Sequence, residues 1–177
     1  MGAVSGKKIL MVIASDKFRD EEYQKPRRIL EQEGASVTVA SSTLKESTGM
    51  LGLKVKPDIL LQNADMSAYD AVIFVGGYGA QEYWDDPAAH ALARKAFNSG
   101  KLTSAICVAP MTLANAGILK GRKATIWPDC ADDFKTKGVV YTGSPVEKDG
   151  TLITGSGPDA ADAFGKALLQ ALKQRPS

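Results

Sequence analysis

Two cysteines and one histidine in 177 residues leave little material for metal or histidine-centred chemistry. Cys107 and Cys130 are too few for a disulfide framework, and with His90 alone no metal-ligand spacing exists. Nucleophilic and acid–base work must then fall to Cys, Glu and Asp. Charge of one sign is also lacking. The chain has 22 Lys and Arg against 20 Asp and Glu, a net +2, which gives no broad field to gather nucleic acid or anionic lipid. No apolar run approaches the roughly 20 residues a membrane helix needs, and Met1 to Gly6 lacks the charged and apolar regions of a secretory signal. The expectation is a cytoplasmic protein with free thiols that binds neither nucleic acid nor membrane. What is present, 44% hydrophobic and 24% charged residues, suits one globular domain over residues 1–177.

Lys8 to Ser15 (KILMVIAS) and Asp70 to Gly77 (DAVIFVGG) are almost continuous apolar runs ending at small or polar residues, the pattern of parallel strands buried on both faces. Leu102 to Ile106 is a third. Glu21 to Glu33 reads as a helix closed by Gly34, and Ser36 to Ser41 (SVTVAS) as the next strand. Asp86 and Pro87 supply an N-cap and first-turn proline, after which Ala89, Leu92, Ala93, Ala96 and Phe97 recur at helical spacing up to Gly100. Thr43 to Pro57, with Gly49 and Gly52, reads as a small hairpin or excursion. Beyond Pro110, Met111 to Leu119 reads as a helix, and Lys123 to Trp127, Val139 to Thr142 and Leu152 to Thr154 as strands. Pro158 opens a last helix with an apolar stripe of Ala161, Phe164, Leu168, Ala171 and Leu172. The alternation predicts a doubly wound α/β fold, a mostly parallel sheet sandwiched by helices, with ligands at the carboxyl ends of the strands.

In Leu102 to Pro110 (LTSAICVAP) a buried strand runs into Cys107 and the following residues start a helix, the outline of a nucleophile elbow with Cys in place of Ser. Helix-start amides at such a turn favour a thiolate or an oxyanion. Free Cys also serves as a small core residue, so the segment alone leaves both roles open. Gly76 and Gly77, at the end of another central strand, let backbone amides approach a ligand and complete an anion hole with Val108, or else form an ordinary turn. They carry no dinucleotide fingerprint and no phosphate-loop Lys, so no cofactor is expected. Glu21 and Glu22 suit a first helical turn, where acids complement the helix dipole; granting the fold brings that turn to the edge where Cys107 lies. Trp127 either packs or walls the pocket. Cys130 is a candidate resolving thiol; Asp129, Asp132 and Asp133 read as a solvated loop and His90 as a solvated helix residue.

Four segments together resemble the ThiJ/PfpI superfamily, nearly end to end: Glu22 four before Pro26, VGGYGAQ at 75–81, AICVAP at 105–110 and VEKDGTLITGSGPDAADAFGKAL at 146–168. The GSGPDAADAF ending and the absence of His after Cys107 look like the parkinsonism-associated deglycase branch. The resemblance implies a flavodoxin-like, class I glutamine amidotransferase-like fold and a homodimer. It further implies that a protonated Glu22 hydrogen-bonds a Cys107 thiolate; Gly76, Gly77 and Val108 are then expected as backbone donors, and Trp127, Pro128, Gly157 and Pro158 around the pocket. Where that branch often has His before a proline, this chain has Trp127 before Pro128. The implied activity is a glutathione-independent glyoxalase or deglycase acting on a small aldehyde or dicarbonyl. The alternative is a redox-responsive stress protein or chaperone using oxidation of Cys107, and hydrolysis of peptides or amides ranks last.

Overall fold

In the computed structural model, which describes residues 2–175, β1 (Lys8–Val12) leads through α1 (Asp20–Gln32) to β2 (Ser36–Ser41). The two strands pair in parallel, Lys8 opposite Ser36 and Val12 opposite Ala40. The excursion is an antiparallel hairpin of β3 (Ser47–Thr48) and β4 (Lys54–Val55), followed by β5 (Ile59–Leu60) beside β2. A second unit runs β6 (Ala71–Phe74), α2 (Pro87–Asn98) and β7 (Leu102–Ile106). Then come α3 (Pro110–Asn115), β8 (Lys123–Ala124), α4 (Ala131–Thr136), β9 (Val140–Tyr141), β10 (Val146–Asp149), β11 (Leu152–Gly155) and α5 (Ala161–Lys173).

The main sheet is ordered β10-β11-β7-β6-β1-β2-β5, and only the β10 to β11 pairing is antiparallel. From β1 the chain winds outward to β2, and from β6 it winds the other way to β7. The switch point therefore lies between the carboxyl ends of β1 and β6, where a doubly wound sheet opens a crevice. Leu30, Phe164 and Leu168 of α1 and α5 cover one face; Leu92, Leu113 and Phe134 of α2, α3 and α4 cover the other. This is the doubly wound α/β sandwich that the alternation predicted. The polar residues of β7 leave no unpaired group at its centre: Ser104 Oγ donates to the Val72 carbonyl at 2.8 Å and Thr103 Oγ1 to the Lys101 carbonyl at 3.1 Å.

The departures cluster after the elbow, where long-range bonds override local pattern. α3 ends at Asn115 instead of running to Leu119, because Gly117 takes φ +86° and closes the helix with Gly117 N donating to Ala114 O and Ile118 N to Leu113 O. β8 has two residues, not five. Thr125 N leaves the ladder for Thr154 Oγ1 at 2.9 Å, and Trp127 N donates to the Cys107 carbonyl at 2.8 Å. β8 pairs with β9 in a separate ladder. β10 (VEKD) has no apolar alternation to announce it and is held as a charged edge strand. Asp132 and Asp133 occupy the first turn of α4, where acids complement free amides, instead of a loop.

α1 and α5 pack closely through Gly165. A Cβ there would meet Ile29 Cδ1 at 2.8 Å and Pro26 Cα at 3.0 Å. Pro26 itself sits inside α1 and lacks the amide that would bond the Glu22 carbonyl. Replacing Gly165 by Ala gains up to about 1 kcal/mol of helix propensity, but overpacking costs about 1–3 kcal/mol. Gly165→Ala is expected to lower stability in urea denaturation; a stability gain would show that the helices are free to separate.

Candidate active site

β7 delivers Cys107 to the carboxyl edge of the sheet and the backbone turns there sharply. Cys107 adopts φ +65°, a left-handed conformation costing a non-glycine residue about 1–2 kcal/mol. The turn is held from several sides. Cys107 N donates to Gly155 O at 2.9 Å, Cys107 O accepts from Trp127 N, and Trp84 Nε1 donates to the Val108 carbonyl at 3.0 Å. The Trp84 carbonyl is in turn held by His90 Nε2 at 2.7 Å and Asn115 Nδ2 at 2.8 Å. His90 is therefore half-buried and bonded, where sequence pattern suggested a solvated side chain.

Glu22, in the first turn of α1, is fully buried beneath this elbow. Gly76 makes the contact possible, since a Cβ there would meet Glu22 Oε1 at 2.4 Å and Cys107 Cβ at 2.5 Å. Burial holds the Glu22 carboxyl well above the carboxylate range, at about 8, while Cys107, Arg19 and the Gly76 amide act to lower it. Neither carboxyl oxygen has a hydrogen-bond partner of ordinary geometry among the described residues. Glu21 instead turns to Arg19, whose Nε and Nη2 donate to its two oxygens at 2.9 and 3.1 Å. Asp20, also buried, accepts from Leu51 N at 2.9 Å and Leu53 N at 2.8 Å, tying the hairpin tip to the same helical turn.

Burial is also the main cause that pushes the Cys107 thiol up, followed by the negative charge of an ionised Glu22; the amides of Gly77 and Val108 pull it down. With Glu22 held at about 8, the protonated carboxyl predominates at neutral pH, which weakens the second of these causes there. The carboxyl can then donate to the sulfur, and two amides face the charge that develops. Gly76 and Gly77 thus serve different partners, the first at Glu22 and the second at Cys107.

Above the thiol lies a cavity of about 340 Å³ walled by Trp84, Trp127, Met50 and Tyr78, with Cys130 and Pro158 also on its lining. Of the residues expected around it, Gly157 lies behind the wall, where a Cβ would meet the Trp127 ring at 2.8 Å. Pro128 is exposed, starting the turn that carries Asp129 and Cys130 inward, and neither it nor Gly157 lines the cavity. Burial, then the charges of Asp129 and Asp133, disfavour a Cys130 thiolate. Sequence reasoning did not place Arg19, Gln81, Trp84 or Tyr78 here; they come from separate loops. No group of three or more metal-ligating side chains occurs among the described residues.

A strand ending in a left-handed cysteine over a buried acid defines an α/β protein with a cysteine elbow. The chain belongs to the DJ-1/PfpI family, whose family description matches residues 7–171. It is 40% identical to an uncharacterized protein of Methanocaldococcus jannaschii, covering 94% of this chain and 83% of that one. It is 32% identical to a deglycase of Pyrococcus horikoshii, covering 93% and 99%. Among solved structures, a ThiJ/PfpI domain protein from Brachyspira murdochii superposes with a TM-score of 0.94 at 29% identity over 97% of this chain and 100% of that one. DJ-1beta of Drosophila melanogaster gives 0.85 at 26% identity, covering 96% and 91%.

The raised pKa of Glu22 has a sign that stability measurements can read. Its folded value, about 8, lies above the ordinary 4.5, so the stability it contributes is full below pH 4.5 and is lost as pH rises through 8. Glu22→Gln keeps the shape without the proton. The melting temperature of the variant relative to the wild type is expected to rise between pH 5 and 8.5; a difference that stays flat would mean that Glu22 ionises normally.

Proposed function

We propose that this protein is a cysteine-dependent enzyme acting on small reactive carbonyls, a glutathione-independent glyoxalase or deglycase, with Cys107 as nucleophile and Glu22 as acid and base. The observation that carries the reading is a fully buried carboxyl, its pKa raised by burial, packed beside a thiol at the floor of an open cavity. Family membership, and relatives named deglycases, support it.

In this reading the sulfur bonds to the aldehyde carbon while Glu22 gives its proton to the carbonyl oxygen and takes the thiol proton, leaving a hemithioacetal and a restored acid. The amides of Gly77 and Val108 hold the charge passing through sulfur. For a 1,2-dicarbonyl, Glu22 first releases its proton to solvent; as carboxylate it takes the hydrogen from the sulfur-bearing carbon and delivers it to the neighbouring carbon, while the hydroxyl proton of the sulfur-bearing carbon passes to the neighbouring oxygen, giving the thioester of a 2-hydroxy acid. Water cleaves the thioester, freeing Cys107 and a 2-hydroxy acid. A pKa near 8 keeps both forms of the carboxyl accessible near neutrality, which an acid that must also act as a base requires. The same amides suit an oxidised sulfur anion, and that is the second reading, a redox-responsive protein in which Cys107 is oxidised without turnover.

Methylglyoxal turnover separates the two. Cys107→Ala is expected to fall to background, and Glu22→Gln and Glu22→Asp to lose about 10²- to 10⁴-fold. Wild-type rates in both Glu22 variants would remove Glu22 from the chemistry, and a wild type that is oxidised by peroxide but turns over nothing would select the second reading.

We also propose a cytoplasmic homodimer. Met50 and Leu51 at the hairpin tip are 44% and 64% exposed, beside a 65% exposed Tyr78, an apolar surface suited to a second copy. Sedimentation at micromolar concentration is expected to give twice the chain mass; the chain mass alone would refute it.

A further inference from the structure

Arg19 is the only basic side chain lining the cavity over Cys107 among the described residues. We propose that Arg19 forms a carboxylate subsite in this cavity, so that the preferred substrates are aldehydes or dicarbonyls carrying an acid group, ahead of neutral dicarbonyls of similar size. The inference rests on the reading above for the reacting thiol and adds the chemical class of what reaches it.

The backbone of Arg19 is fixed between the two halves of the site. Its N donates to the Gly76 carbonyl at 2.9 Å, and its own carbonyl accepts from Glu22 N and Tyr23 N at 3.2 Å. The side chain is fixed as well. The Nε and Nη2 bonds to Glu21 use two of the five guanidinium N–H groups, and no other described residue takes the remaining ones. Locking one edge of a planar fork leaves the other edge presented in a constant direction, which is how Arg recognises carboxylates with little further loss of side-chain freedom. Exposure of 28% keeps the group open to a ligand, and its charge acts on both Glu22 and Cys107.

The surroundings amplify that charge. Trp84, Trp127 and Met50 give the cavity apolar walls, and a cation beside apolar surface attracts an anion more strongly than one in bulk solvent. Asp129, the one acid on the lining among the described residues, repels a carboxylate from its own position and leaves Arg19 as the place for it. A surface pair such as Arg19 with Glu21 contributes only about 0–1 kcal/mol to stability, so stability gives little reason for an ion pair to stand at this mouth.

Two measurements test the subsite. In the first, Cys107 is alkylated with iodoacetate or iodoacetamide and the modified peptide is quantified, which needs no turnover. The ratio of the iodoacetate to the iodoacetamide rate constant is expected to fall about tenfold from wild type to Arg19→Met, the size of one charge-assisted contact, with Arg19→Lys in between because it keeps the charge and loses the fork. A ratio within about twofold of wild type in Arg19→Met overturns the proposal, as does failure of both reagents to label Cys107. In the second, kcat/KM is compared for 4,5-dioxopentanoate and its methyl ester. A preference for the acid that Arg19→Met abolishes supports the subsite, and equal use of acid and ester by the wild type overturns it. A shifted alkylation ratio with no turnover of either compound supports the anion subsite while removing the carbonyl reaction.

Discussion

Burying Glu22 against Cys107 is the constraint on which the neighbouring structure depends. The carboxyl is sealed from water without an ordinary hydrogen-bond partner, a condition that costs about 1–3 kcal/mol for a buried polar group and more if the group is charged. The positive φ of Cys107 adds to that cost. Such strain persists only where surrounding packing over-determines it. Here the packing is plain: strands buried on both faces bring Ile9, Met11, Ile73 and Ile106 into one core with Phe164, and burying each such side chain contributes about 1.5–3 kcal/mol. Two or three of these offset the whole local penalty. Gly76 is the residue the arrangement cannot replace, because any side chain there would occupy the space shared by carboxyl and thiol.

The sheet was legible because its signals are local. Unbroken apolar runs gave β1, β6 and β7, and punctuation by Asp86, Pro87, Gly34 and Gly100 gave the bounds of α1 and α2 within about a residue of where they lie. Cys107 was legible as a strand-to-helix turn. Which glutamate lies under it was not, since Glu21 and Glu22 are equivalent in a first helical turn; only the family resemblance chose between them. The geometry separates them through Arg19, which draws Glu21 outward while Glu22 points into the core. The cavity was largely hidden. Arg19, Met50, Tyr78, Trp84 and Trp127 come from distant parts of the chain and meet only because the sheet switches direction beneath them. Pro128 and Gly157 show the opposite: both were expected around the pocket, but only their sequence neighbours Trp127 and Pro158 line it.

No histidine lines the cavity among the described residues, and the elbow is held largely by backbone bonds. Trp127 stands before Pro128 and contributes its backbone amide to the Cys107 carbonyl as well as its ring to the wall. The chain's one histidine acts two steps away, through the Trp84 carbonyl. Trp84 in turn reaches Val108, whose amide faces the sulfur. Backbone dipoles held in place beforehand thus work beside burial and Glu22 in the environment of the thiol, and they favour its charged form without titrating themselves.

Asp20 gives the site a mechanical side. Its carboxylate gathers the amides of Leu51 and Leu53 at the hairpin tip, and it stands two residues before Glu22 in one turn of helix. Beyond that turn Pro26 has already removed one rung of the helical ladder. The hairpin is thus anchored on the same turn of α1 that buries Glu22. The anchoring of a surface loop and the acidity of a buried group rest in this molecule on one and the same turn of helix.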